Sequence, residues 1–101
     1  MNNDPLGPKD PEEIKVIKFP FARELNGATI ASVSYVTPTT FKGTDPSPGA
    51  VALGAPVPSG TDVLQRMQAG LDGVSYKWRA KVVDSNGNVH VATEVVQVQT
   101  L

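Results

Sequence analysis

The last third of the chain alternates. In residues 74–84, VSYKWRAKVVD, Tyr76, Trp78, Ala80 and Val82 share one side, and Lys77, Arg79 and Lys81 share the other. Apolar and polar residues at period two predict a β-strand buried on one face, with its cationic face in water. Residues 88–98 are a second valine-rich run, separated from the first by Ser85-Asn86-Gly87. Asn-Gly tolerates the positive φ of a tight reversal, so the two runs predict an antiparallel hairpin that turns at Gly87. With one face wet, this hairpin is one wall of a two-sheet sandwich.

The residues before that strand, Leu71-Asp72-Gly73-Val74-Ser75-Tyr76, have the layout of a tyrosine corner. An apolar residue and the turn glycine Gly73 precede Tyr76, whose ring enters the core while its hydroxyl bonds to nearby upstream backbone. Tyr76, Trp78, Gly73 and Gly87 are therefore the expected structural residues.

Earlier in the chain, residues 14–21 place Ile17, Phe19 and Phe21 on one side and Lys15 and Lys18 opposite or at the rim. This predicts a first strand, and Pro20 marks it as an edge strand. Asn26-Gly27 is a turn, and residues 28–37 form a strand rich in β-branched residues, with Ala31, Val33 and Tyr35 on one face. Residues 38–61 hold five of the nine prolines and four of the nine glycines, so a long loop is expected, with a short strand at 50–53. Such a loop is either a contact segment or a mobile connection. Residues 63–69 fit a short helix capped by Asp62, but a sandwich needs a strand there, and the strand is preferred.

Residues 1–13, MNNDPLGPKDPEE, carry Pro5, Pro8 and Pro11 and a single large aliphatic, Leu6. Proline at every third position removes amide donors and favours an extended arm. The expected organisation is an arm at 1–13 followed by an immunoglobulin-like, fibronectin-III-like β-sandwich at 14–101, an all-β fold.

Composition narrows the function. With 101 residues the chain is one domain, and its formal net charge of −1 argues against a nucleic-acid partner, which needs a basic patch. There is no cysteine, hence neither disulfide nor thiolate metal site. The first residues lack the cationic and apolar regions of a signal peptide, and no apolar run approaches a membrane span.

One further arrangement is informative. Lys9-Asp10-Pro11 and an acidic residue precede a first strand; then come Asn-Gly-Ala-Thr-Ile-Ala-Ser, an aromatic-bearing strand, a Gly-rich turn, Tyr76 and a final hairpin. This resembles the small Ig-like virion proteins of tailed bacteriophages, of the fibre–tail adaptor or head–tail accessory type. The resemblance spans residues 9–98, although Tyr35 stands where the family pattern has a tryptophan. It implies a non-catalytic structural role in a virion, synthesis in the host cytoplasm, and several copies per particle. The implied partners are other virion proteins: tail, fibre or head–tail connector subunits.

No catalytic or cofactor-binding constellation is legible. His90 is the only histidine and sits mid-strand, where it cannot build a three-ligand zinc site. The 84–88 turn lacks the spaced acids of a calcium loop. An enzyme is not expected, nor a metal or cofactor. The candidate partner-binding residues lie in the arm (Leu6, Pro8, Lys9 and Asp10) and at the start of the loop (Phe41 and Lys42). The competing expectation is a carbohydrate- or cell-surface-binding module of a larger secreted protein, which would display aromatic faces; five of the six aromatics fit the core, leaving Phe41.

Overall fold

The computed structural model describes residues 8–101. Six strands make two antiparallel three-stranded sheets: β1 (Lys15–Pro20), β2 (Ile30–Lys42), β3 (Ala52–Ser59), β4 (Asp62–Met67), β5 (Ser75–Asp84) and β6 (Val89–Gln97). Their orders are β1-β4-β3 and β2-β5-β6. A single turn of helix, α1 (Ala22–Leu25), follows β1 and buries Leu25 before Asn26, at φ 47°, reverses the chain. The ambiguous 63–69 stretch is strand β4 for most of its length.

The two sheets bury one core. Ile17, Phe19 and Phe21 come from β1 and the residue after it, Val63 and Met67 from β4, and Tyr76, Trp78, Ala80 and Val82 from β5. The inward rows are those the alternation predicted on β1 and β5. Between Val63 and Met67 on the same row, Gln65 is also buried. Its amide nitrogen donates to the carbonyls of Gly54 (3.1 Å) and Arg66 (2.9 Å). Pairing of β3 with β4 is interrupted between Leu53 and Val57, so Gln65 supplies a partner that the ladder does not.

The expected loop at 38–61 is mostly sheet. β2 continues to Lys42 and β3 occupies residues 52–59, leaving residues 43–51 and the 60–61 turn outside strands, with a 3-10 turn at Pro48–Val51. Proline content misled because proline is excluded only from strands bonded on both sides. Pro20 lies on β1, Pro38 on β2 and Pro56 and Pro58 on β3, and each of these strands is outermost in its sheet.

The face expected for β2 is also corrected. Register shifts fall between Ile30 and Ser32 and between Val33 and Tyr35. Each extra residue reverses which side chains point inward. Ala31 is exposed, Val33 packs against the core, Val36 and Pro38 are buried, and Tyr35 turns to the outer face beside Lys81.

Candidate partner-binding surfaces

The arm is tied to the sandwich from Lys9 onward. The Lys9 amide donates to the Gln97 carbonyl (2.8 Å) and its carbonyl accepts from the Gln99 amide (2.9 Å), a parallel bridge alongside Val98 at the end of β6. The Lys9 side chain is fully buried, and its ammonium donates to the carbonyls of Ala69 (2.6 Å) and Asp10 (2.9 Å). Burial lowers the Lys9 pKa, opposed by the carboxylates of Glu13 and Asp10.

Asp10 is likewise committed within the domain. Its carboxylate accepts from the amides of Leu101 (2.9 Å) and Glu12 (2.8 Å), and these bonds hold its pKa low. The Asp10 amide in turn donates to Glu13 (2.9 Å), which lowers the Glu13 pKa, and Glu13 also meets Lys15 at 3.5 Å. Lys9 and Asp10, expected as contacts for a partner, instead form a clasp between the two ends of the fold. What buried Lys9 and half-buried Asp10 was a backbone bridge to a strand almost ninety residues away. Pro8 is exposed next to the clasp. Leu6 lies outside the described residues.

Phe41, 52% exposed, and Lys42 stand at the far end of β2. Lys42 is paired with Ser75, and Ser75 with Gln97, the residue that accepts the Lys9 amide. The register therefore puts the clasp and Phe41–Lys42 at one end of one sheet. Three strand spacings, about 14 Å, separate them.

Between these two points lies the tyrosine corner. The Tyr76 hydroxyl accepts from the Leu71 amide (3.0 Å) and donates to the Asp45 carboxylate (2.6 Å). Burial, followed by the Asp45 carboxylate, pushes the Tyr76 pKa up to about 12. Asp45 was not singled out from sequence, where it is one acid in a Gly-Thr-Asp-Pro turn. It also accepts from the Ser47 amide (2.8 Å), so it ties the 43–47 turn to the corner. Gly73 sits at φ 83° in the same corner.

At the opposite end of the sheet, Asp84 closes the hairpin. Its carboxylate accepts from the amides of Asn86 (2.8 Å) and Asn88 (2.9 Å) and meets His90 Nε2 at 2.9 Å. His90 first, then these amides, hold the Asp84 pKa low. Gly87, at φ 85°, supplies the positive φ of the turn. His90 is thus a strand residue with one acidic neighbour. Among the described residues no cluster of three His, Cys, Asp or Glu side chains is placed to hold a metal ion. No described helix is long and apolar enough to cross a membrane.

The family model for Gp77, podophage GP4 fiber-tail adaptor protein gp77, matches residues 9–97. The chain belongs to this family of podophage fibre–tail adaptors. The matched span begins and ends on two residues hydrogen-bonded to each other, Lys9 and Gln97, so it coincides with the closed sandwich. The adaptor family accounts for a phage structural protein and a virion location, as the resemblance implied. No curated protein and no solved structure matches the chain.

Proposed function

We propose that this adaptor is a non-catalytic immunoglobulin-like sandwich that joins virion subunits through the segment leading into Lys9 and through Phe41 and Lys42 at the end of β2. The observation that carries the reading is the shared register row: the clasp and Phe41–Lys42 lie at one end of one sheet. A partner seated on that end meets Pro8 and an exposed aromatic at once, and Leu6, two positions before Pro8 in sequence, is proposed as a further contact. Lys9 and Asp10 act in this reading as the anchor that aims the arm. Proline at positions 5 and 8 restricts the backbone of this segment and lowers the entropy lost on docking.

The strand orders support the fold assignment. In chain order the six strands correspond to B, C, D, E, F and G, and the orders β1-β4-β3 and β2-β5-β6 then read B-E-D and C-F-G. The partners in this reading are tail, fibre or connector subunits, the protein is present in several copies per particle, and it is made in the host cytoplasm. A carbohydrate-binding module would present bare aromatic faces. Here the Tyr35 ring carries the Lys81 ammonium 5.9 Å from its centroid, which leaves Phe41 as the one well-exposed ring among the described residues.

The test compares wild-type protein with a deletion of residues 1–8 and with the double substitution Phe41→Ser/Lys42→Ser, each added to particles made without this protein. Both changes leave thermal unfolding near that of wild type and sharply reduce uptake into particles. Uptake equal to wild type for both variants overturns the assigned contacts, and failure of the wild-type protein to join particles overturns the adaptor role itself.

A further inference from the structure

The outer face of the β2-β5-β6 sheet carries an unbalanced charge. Lys77, Arg79 and Lys81 occupy alternate positions on β5, so their stems leave the sheet about 7 Å apart along one row. The outward rows of β2 and β6 contain no Asp or Glu. Asp84 is buried at the end of β5, and Glu94 shares the register row of the inward-facing Trp78. Among the described residues the ion pairs are Lys15 with Glu13 and His90 with Asp84, so none involves the three cations. Three of the nine Lys and Arg therefore stand together with no Asp or Glu on the outward strand rows beside them. A chain of net charge −1 is electrostatically two-sided.

The same face has a shape and an apolar border. A groove of about 550 Å³ runs between β2 and β5, lined by Tyr35, Thr37, Thr39, Lys77 and Arg79. On the other flank of the cationic row, Val91 and Val95 are paired with Lys81 and Lys77 and are 41% and 40% exposed. Exposed aliphatic side chains on a sheet face are costly to leave in water, and beside a row of charges they make the mixed apolar and polar surface of a protein–protein contact. We propose that this face is a docking surface for an acidic patch on a neighbouring virion protein. The proposal rests on the adaptor reading and adds a second surface, on the flank of the sheet, to the contacts proposed at its end.

Charge complementarity selects the partner. A row of unpaired cations attracts carboxylates and repels a basic surface, which sets orientation and encounter rate. A localised carboxylate patch meets only this face. A long polyanion such as nucleic acid would run past it onto a remainder that is net negative, and would gain nothing from Val91 and Val95. The Tyr35 ring holds the Lys81 ammonium over it, so it does not offer a bare stacking face to a sugar or a base.

The experiment has two arms. In the first, wild type, Lys77→Glu/Arg79→Glu and the control Lys18→Glu/Arg66→Glu are bound to particles made without this protein. Lys18 and Arg66 are exposed on the other sheet, so the control changes net charge equally. The expected result is a loss of affinity on the order of tenfold or more for the β5 variant alone. Its unfolding transition is expected to match that of wild type. Wild-type binding should also weaken between about 0.1 and 1 M salt, as the screening length falls from about 10 to 3 Å. Undiminished binding by the β5 variant, or equal loss in both variants, overturns the proposal.

In the second arm, backbone amide resonances of the wild-type protein are followed during titration with a short polyglutamate peptide and, separately, with single-stranded oligothymidine. Peptide-induced shifts centred on residues 77–81, absent in Lys77→Glu/Arg79→Glu, support the face. Shifts elsewhere, or tighter binding of the oligonucleotide at these residues, overturn it. Absence of wild-type protein from particles in the first arm counts against the adaptor reading, and the peptide titration then decides the face independently.

Discussion

The ammonium of Lys9 lies 2.6 Å from the carbonyl oxygen of Ala69, sixty residues along the chain. Ala69 is held at φ 53°, a left-handed conformation that a Cβ makes unfavourable, and it precedes the turn into the tyrosine corner. The buried lysine thus joins the segment that enters β1 to a strained turn. Its charge-assisted bond satisfies a carbonyl on that turn.

Replacing Lys9 by Met keeps most of the aliphatic stem and removes the donor. The expected cost is about 1–3 kcal/mol, the range for leaving a buried acceptor without its partner. Urea unfolding midpoints measure it. A midpoint equal to wild type would mean that the stem alone matters.

Tyr76→Phe strands both the Leu71 amide and the Asp45 carboxylate, and should likewise cost about 1–3 kcal/mol. Asp45→Asn, which keeps an acceptor for the hydroxyl, should cost less. Denaturant midpoints of the three proteins test the order, and an unchanged midpoint for Tyr76→Phe would show that the ring only packs.

The raised Tyr76 pKa gives this corner a signature in base. The folded value of about 12 lies above the ordinary 10.0, so the native state favours the neutral phenol. Its contribution to stability is complete below pH 10 and is lost as pH rises from there through about 12. Ultraviolet titration of the native protein should show one phenolate forming only near pH 12. In Tyr76→Phe that late step should vanish.

Gly70→Ala should destabilise by about 1–3 kcal/mol or more. Gly70 has φ 98°, and a Cβ built there comes within 2.8 Å of Val98 Cγ2 and 3.4 Å of the Tyr76 ring. Backbone strain and overlap with the core therefore add. Thermal unfolding compared with Gly49→Ala, where a Cβ meets nothing and φ is not positive, isolates the effect.

Acid should weaken the hairpin end. The folded pKa of Asp84 is depressed by His90 and by the turn amides, so its contribution is fully present above the ordinary carboxylate value of 3.8. It is lost as pH falls through the lower folded value. Asp84→Asn should lower the melting temperature at pH 6, and the difference from wild type should shrink as pH drops below about 4. A difference independent of pH would assign the effect to the amide hydrogen bonds alone.

Alternation alone determined much of this fold. The inward rows of β1 and β5, the reversal at Gly87 and the corner at Tyr76 follow from side-chain period and from residues suited to positive φ, which are properties of a few consecutive positions. Three features depended on tertiary structure. Pro38, Pro56 and Pro58 look like loop residues until β2 and β3 are known to be outermost strands, and strand order is a pairing of distant segments. Tyr35 turns outward because of bulges in β2, and a single extra residue reverses a face without leaving a mark in hydropathy. Lys9 and Asp10 read as arm residues available to a partner until the groups they bond within the domain, Gln97, Ala69 and Leu101, are brought beside them. Local chemistry sets which residues can form a strand, a turn or a cap; which strand becomes an edge, and which charge becomes buried, is decided by contacts between residues far apart in the chain.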